Sequence, residues 1–412
     1  MMRRTVIIGG GAAGMIAAIV SAKEGDQVTI LEHMDTLGKK LLSTGNGRCN
    51  LTNKRQERSC YHSENPDFPV PALKQFGCEE TIRFFGRLGL FFKERDGYVY
   101  PRASQASTVR EALLSALSDR KVAIRTGCQV HEILKEAPEA NGGFLVCMED
   151  TCVAADALVL ACGGMAAPFT GSDGSGYDLA ASLGHRLIPP VPALTGLFAA
   201  GSPLKKAAGV RTDGTITLYI EEKGRRRFVA SDTGELQITD YGISGIPAFQ
   251  VSRYASRAIL EKKQVSAELN FLPEYEEKEV SAILLHALSL DRDCFRLLCG
   301  LFPEKLAAVL LKRAGIPLHA LSGHLDEGRK RKLLDLSCRF PLEIVAVNDF
   351  AKAQVTAGGV DTREVSSKTM ESKLVPGLYF AGELLDVDGC CGGYNLQWAW
   401  ASGFLAGKQG RP

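Results

Sequence analysis

Three stretches of this chain carry residue types whose spacing implies chemistry. The first is Gly9-Gly10-Gly11-Ala12-Ala13-Gly14, a G-x-G-x-x-G run. Gly9 permits a tight turn, Gly11 lets a pyrophosphate approach the backbone, and Gly14 lets a helix pack closely on a strand. The unpaired N–H groups that open the helix, beside Ala12 and Ala13, would receive the phosphates. Glu32 closes the next apolar run, where a carboxylate accepts hydrogen bonds from ribose hydroxyls. The second stretch is the Gly-, Asn- and Ser-rich segment from His33 to Asn53. Lys39, Lys40 and Arg48 are candidate phosphate partners in it, and Asn46 a candidate partner for a ring edge. A plain surface loop is the alternative, but long ordered loops inside compact domains are usually functional. The third lies near the end: Gly382-Glu383, a glycine and carboxylate after an apolar run, and then Asn395-Leu396 at the start of a helix.

The elements that must position these residues follow from periodicity. Thr5 to Ile8 reads as a buried parallel strand, Ala12 to Glu24 as a small-residue helix, and Gln27 to Leu31 as the second strand. This strand–turn–helix context is what a dinucleotide-binding motif requires. Val122 to Arg125 and Gln129 to Lys135 read as strands. The chain is expected to return there beside the first strand, so that backbone at Gln129-Val130 edges an adenine. Ala157 to Leu160 reads as another buried strand, with Ala161 and Gly163 at its C-terminal end letting a cofactor pass. Gly171 to Gly176 is not a second dinucleotide motif, because no apolar strand immediately precedes it. One dinucleotide fold is therefore expected. Gly377 to Phe380, ending in Gly382 and Glu383, has the form that an FAD-binding fold uses near its C-terminus. The N-terminus of the final helix can face the flavin, its partial positive charge favouring an anionic reduced ring.

Between these parts the texture changes. From about Leu187 to Leu272, strands alternate with Gly and Asp turns, which suggests an antiparallel barrel or sandwich. From Glu276 to about Leu336 the apolar spacing is helical, and residues 339 to 365 read as returning strands. The expected domains are 1–186 (first part of the dinucleotide domain), 187–275 (inserted barrel), 276–338 (inserted helices) and 339–412 (return and completion).

Composition narrows the classes. The 412 residues suffice for two or three domains. A net charge of +2 argues for no particular partner and against a nucleic-acid binder. Two basic runs, Lys223 to Arg227 and Arg329 to Lys332, read as solvated faces. No apolar stretch is long enough to span a bilayer and no leader is recognised, so a cytoplasmic location is expected. The twelve cysteines show no zinc spacing, and no metal site is expected. Most are expected to be thiols, Cys390-Cys391 included, and no C-x4-C redox pair is recognised.

With these segments in view, the chain resembles the family of bacterial FAD-dependent flavoproteins that includes 3-dehydro-bile acid Δ4,6-reductase and aminoacetone oxidase. The resemblance is carried by Val6 to Met15, Gly45 to Asn53, Thr356 to Val360, Thr369 to Lys373, Gly377 to Glu383 and Gly392 to Ala399. It implies an α/β fold: a Rossmann-type, glutathione-reductase-like FAD domain interrupted by an inserted β-barrel and helical domain. It also implies FAD contacts at Ala13, Glu32, Val130, Glu383, Asn395 and Leu396. The chain departs from the family pattern at Ser244-Gly245-Ile246-Pro247, where Ser-Gly-Pro is common, and at Asp240, where a histidine is common. No His or Cys sits in a flavinylation setting, so the FAD is expected to be non-covalent.

The first expectation is a reductase. NAD(P)H, a transient co-substrate, would reduce the flavin, and the hydride would pass to a conjugated C=C bond of a small hydrophobic substrate, a 3-oxo steroid or bile acid. Such an enzyme needs a donor at the carbonyl oxygen. Arg48, Lys39 and Tyr241 are candidates for that donor or for the proton source, with a structural role the alternative for each. The second expectation is an O2-using oxidase of a small amine. The third is a flavin-containing module that binds RNA or a protein.

Overall fold

The computed structural model describes residues 2–136 and 143–411. They form two compact units, residues 1–190 with 354–412, and residues 191–353.

The first unit is built on a five-stranded parallel sheet. Its order is Leu378–Phe380, Ala157–Leu160, Arg4–Ile8, Gln27–Leu31, Ala123–Arg125. Ala157 to Leu160 are all buried, the continuous apolar run of a strand covered on both faces. Ala123–Arg125 pairs with Gln27–Leu31 and not with the first strand, whose other neighbour is Ala157–Leu160. That corrects the expected return beside the first strand: Gln27–Leu31 and Ala157–Leu160 already occupy both of its edges. The helix Ala12–Lys23 follows the first strand through the glycine turn, with Ala13 to Ser21 buried. The final helix, Tyr394–Lys408, packs on it through small residues. A Cβ at Gly403 would lie 2.4 Å from the Ala13 carbonyl oxygen, and one at Gly407 would lie 2.5 Å from that of Ala17.

The second unit is a closed six-stranded barrel with helices. The strands run Leu197–Ala199, Gly242–Gly245, Arg225–Ile238, Arg211–Glu222, Val265–Asn270 and Phe340–Val347, and the last pairs back onto the first. Phe340, Leu342 and Ile344 alternate with exposed residues, the period of a half-buried strand. They complete the barrel, so the chain does not re-enter the dinucleotide fold at residue 339. The helix Ile246–Leu260 corrects the all-strand reading of 187–272. Pro247 sits in its first turn, which tolerates proline because the N–H would be unpaired there anyway. The barrel and the helices after residue 276 share one hydrophobic cluster, from Leu197 to Ile344, with Phe271 and Phe340 edge to face at 5.9 Å.

No helix among the described residues is long and apolar enough to cross a membrane. Cys147 and Cys152 form a disulfide across the hairpin Gly143–Met148 and Cys152–Ala155, where they are directly opposite. Their C-x4-C spacing overturns the expectation that the chain contains no such pair; a strand register, not a zinc or redox motif, brings the two together. Cys390 and Cys391 are not joined in a disulfide.

Candidate functional site

A cleft in the first unit opens over the C-terminal ends of the parallel strands. This is where open α/β sheets place their ligands. The glycine turn forms its floor. Gly9 has φ +101°, and a Cβ there would lie 2.4 Å from the Ala161 carbonyl oxygen. A Cβ at Gly14 would collide with the Gly9 carbonyl oxygen at 1.9 Å, so helix and strand approach as closely as the motif demands. At Gly11 a Cβ would meet nothing within 4 Å, so the backbone there is open to the cleft.

Glu32 is buried beside this turn, at 7% exposure. Its Oε2 accepts from the Gly10 N–H at 2.7 Å, and its Oε1 from the Met34 N–H at 2.8 Å. Both oxygens are thereby fixed, with lone pairs remaining for ligand hydroxyls. His33 also lines the cleft, its Nδ1 3.6 Å from Glu32 Oε1 and its Nε2 3.8 Å from Asp173 Oδ2.

Further along, Lys40 Nζ donates to Glu383 Oε2 at 2.8 Å. The other oxygen of Glu383 accepts from the Thr356 N–H at 3.0 Å. The Thr356 hydroxyl in turn accepts from the N–H groups of Met165 and Ala166, at 2.8 and 3.1 Å. Cys162 contributes a neutral thiol to the wall: burial, then the Glu32 and Asp173 carboxylates, push it up to about 12.

The first turn of the final helix closes the far end, with Asn395 and Leu396 against the cleft. The Asn395 side chain is engaged elsewhere, accepting from the Gly389 N–H and donating to the Gly389 carbonyl, both at 2.8 Å. What this turn can offer the cleft is therefore backbone N–H, which has no partner inside the helix. The turn is held by buried bonds. Trp398 Nε1 donates to the Gly382 carbonyl at 3.0 Å, and Trp400 Nε1 to that of Leu51 at 2.9 Å. Gln397 accepts from the Thr52 and Thr81 hydroxyls and donates to the Phe76 carbonyl. The segments Gly45–Asn53 and Gly392–Ala399 thus meet: Thr52 and Gln397 brace the cleft from behind, while Asn395, Leu396, Trp398 and Ala399 line it.

A glycine turn open to the cleft, a fixed carboxylate for hydroxyls, a lysine–glutamate pair and a helix N-terminus form a donor set that fits an extended dinucleotide flavin. A family model described as the HI0933-like protein Rossmann domain matches residues 3–409. The chain belongs to that family. It is 48% identical to the 3-dehydro-bile acid delta(4,6)-reductase of Clostridium scindens, over 99% of this chain and 98% of the relative. It is 30% identical to the ribosomal RNA dihydrouridine synthase of Haemophilus influenzae, over 97% of this chain and 96% of the relative. Among solved structures, the 3-ketosteroid delta1-dehydrogenase of Sterolibacterium denitrificans superposes with a TM-score of 0.51 at 12% identity, covering 99% of each chain. That likeness shows a shared fold.

Of the residues expected at the cofactor, Gly9, Gly11, Ala12, Ala13, Glu32, Lys39, Val130, Ala161, Gly163, Gly382, Glu383, Asn395 and Leu396 line the cleft. Gly14 lies beneath it as a packing residue. Asn46 and Arg48 are not brought there. Gly45, Asn46, Gly47 and Cys49 all have positive φ, and the turn they make leaves both side chains exposed. Lys39 is held by Asp35 at 2.6 Å, so the lysine whose charge enters the cleft network is its neighbour Lys40. Ser172 also lines the cleft and Thr356 holds Glu383 beside it; neither is among the residues expected there, though Thr356 opens one of the segments that carry the family resemblance. Tyr241, the third candidate donor, belongs to the second unit. Among the described residues no group of three or more His, Cys, Asp or Glu side chains could hold a metal.

Proposed function

We propose that this protein is an FAD-dependent, NAD(P)H-using reductase of a C=C bond conjugated to a carbonyl, acting on a 3-oxo steroid or bile-acid-type substrate. The observation that carries this reading is the 48% identity, over 99% of the chain, to a 3-dehydro-bile acid delta(4,6)-reductase. FAD, when bound, supplies the hydride chemistry. The chain's own residues then have distinct tasks. Glu32 accepts from ribose hydroxyls while its amide partners hold it still. The open backbone at Gly11 admits the pyrophosphate. Lys40 and Glu383 place a charge pair along the cofactor's length, and the first-turn amides at Asn395 and Leu396 present positive dipole ends at the end of the cleft. Cys162 stays a thiol and takes no nucleophilic role.

A dihydrouridine and a steroid reduced at a conjugated double bond are both products of saturating a C=C bond next to a carbonyl. The two relatives' names therefore point to one reaction class with different substrates. The lower identity of the RNA-related relative favours the steroid. So does charge pairing in the basic runs, where Arg226 meets Glu268, Arg227 meets Glu222, Arg329 meets Asp326 and Lys330 meets Glu327.

The test is anaerobic. NADH or NADPH is added to the yellow holoenzyme, and a 3-oxo-Δ4,6 steroid follows. Bleaching by one nucleotide and reoxidation by the steroid are the expected result. Bleaching by a small amine, with peroxide formed on admitting air, would instead favour the oxidase. Reoxidation by a uridine-containing ribosomal RNA and not by the steroid would favour the RNA substrate. Acid precipitation is expected to release the flavin into the supernatant.

A further inference from the structure

A short ribbon in the first unit carries reactive side chains that the cofactor cleft does not use. Tyr61–His62 pairs antiparallel with Asp388–Gly389, with Asp388 opposite His62 and Gly389 opposite Tyr61. One residue further on, the Cys390 N–H donates to the Cys60 carbonyl at 2.9 Å, which fixes where Cys390 stands. Residues two apart on a strand share a face, and so do residues directly opposite each other. Cys390, Asp388 and His62 therefore face the same way, and the Cys390 Sγ lies 3.7 Å from the His62 Nε2. The Asn395 side chain holds this register, bonded to both the N–H and the carbonyl of Gly389 at 2.8 Å. A thiol with an imidazole in reach and a carboxylate opposite that imidazole is the pattern of a base-activated nucleophile.

This thiol differs from its neighbours. Burial pushes Cys49 and Cys162 up to about 12, and Cys60 and Cys78 are buried as well. Cys390 is partly exposed, so a small reagent can reach it. It also stands beside the cofactor cleft, since Val387 before it and Asn395 after it both line that cleft. Flavins carry dioxygen chemistry, and hydrogen peroxide is the two-electron product when a reduced flavin meets dioxygen.

We propose that Cys390, with His62 as its base, is a site of oxidation by hydroperoxides. The inference does not depend on which substrate the flavin serves. The Cys390 thiol gives its proton to His62 Nε2, and the thiolate attacks one oxygen of the peroxide. An S–O bond forms as the O–O bond breaks. Sulfur gives up two electrons and becomes a sulfenic acid. The other oxygen leaves as hydroxide, takes the proton back from the imidazolium and departs as water.

The experiment uses the oxidised holoenzyme and site-resolved mass spectrometry. Limiting iodoacetamide is followed at each cysteine, in wild type and in His62→Gln. Cys390 is expected to be alkylated at least about tenfold faster than the partly exposed Cys391 and Cys299, and His62→Gln to slow Cys390 about tenfold without changing Cys299. An unchanged flavin band shows that the variant is folded, and the wild-type comparison stands without it. A second sample receives hydrogen peroxide and then dimedone, which captures sulfenic acids. A dimedone adduct on Cys390, or its disulfide with Cys391, is expected in wild type and forms more slowly in His62→Gln. Cys390 alkylated no faster than Cys391, or equally fast in both proteins, overturns the inference. So does peroxide treatment that leaves Cys390 unaltered.

Discussion

Glu32 does two jobs with one carboxylate. It pins the glycine turn through the Gly10 N–H and the loop through the Met34 N–H, and it faces the cleft. Glu32→Ala is therefore expected to weaken FAD binding by about 10- to 100-fold, because two backbone donors lose their acceptor along with the ribose contact. Recovery of flavin fluorescence on dilution checks this, and unchanged retention of the cofactor would refute it. Asp361 makes a pH-dependent prediction. Burial would raise its carboxyl, but the bonds from Arg363 and Arg186 outweigh that and hold it at about 2, below the ordinary 3.8. A depressed carboxyl contributes stability above its unfolded value and loses it as pH falls through the folded one. Urea midpoints should drop between about pH 4 and pH 2, and Asp361→Asn should be less stable at pH 7 but flatter across that window. At this scale the sequence was legible where a motif fixes backbone geometry, as at Gly9, Gly11 and Glu32. It was not legible where a side chain's direction depends on one dihedral. Positive φ at Asn46 turns that loop's polar residues outward, and Asp35 takes Lys39 while Lys40 reaches Glu383.

The contact between the first and last helices turns on small residues. In a helix interior alanine is favoured over glycine by about 1 kcal/mol, so Gly407→Ala would stabilise an exposed helix. Here its Cβ would lie 2.5 Å from the Ala17 carbonyl oxygen, a backbone atom that cannot move aside cheaply. Overpacking costs about 1–3 kcal/mol, so the variant is expected to melt about 2–10 °C lower, as differential scanning calorimetry would show. An increase in Tm would mean that the helices separate freely. The same helices show how far element assignment from sequence reaches. Both were legible, because glycine turns precede them and their composition suits close packing. The Ile246–Leu260 helix was not, since its proline and serines mimic turn chemistry. Phe340–Val347 was legible as a strand by alternation but not by partner. Its pairing with Leu197–Ala199 and Val265–Asn270 is a long-range choice that no local pattern encodes.

Over the whole molecule, the insertion is a complete unit in its own right. Its hydrophobic cluster draws on residues from Leu197 to Ile344, and Leu197 pairs with Val347, so its two ends lie together. Residues 191–353 expressed alone are therefore expected to melt in a single cooperative transition without flavin, within the usual size of an autonomous domain. The complementary prediction concerns the other unit. Every residue lining the cleft comes from 1–190 or 354–412. Where the insertion leaves, the Gly358 backbone lies against the carbonyls of Ile188 and Pro189, with the place for a Cβ 2.6 Å from the Pro189 oxygen. A short Gly-Ser linker from Pro190 to Gln354 therefore has little distance to cover. Such a protein should bind FAD, with a flavin absorption band and a Tm that rises as FAD is added. Loss of FAD binding would show that the insertion supports the cleft.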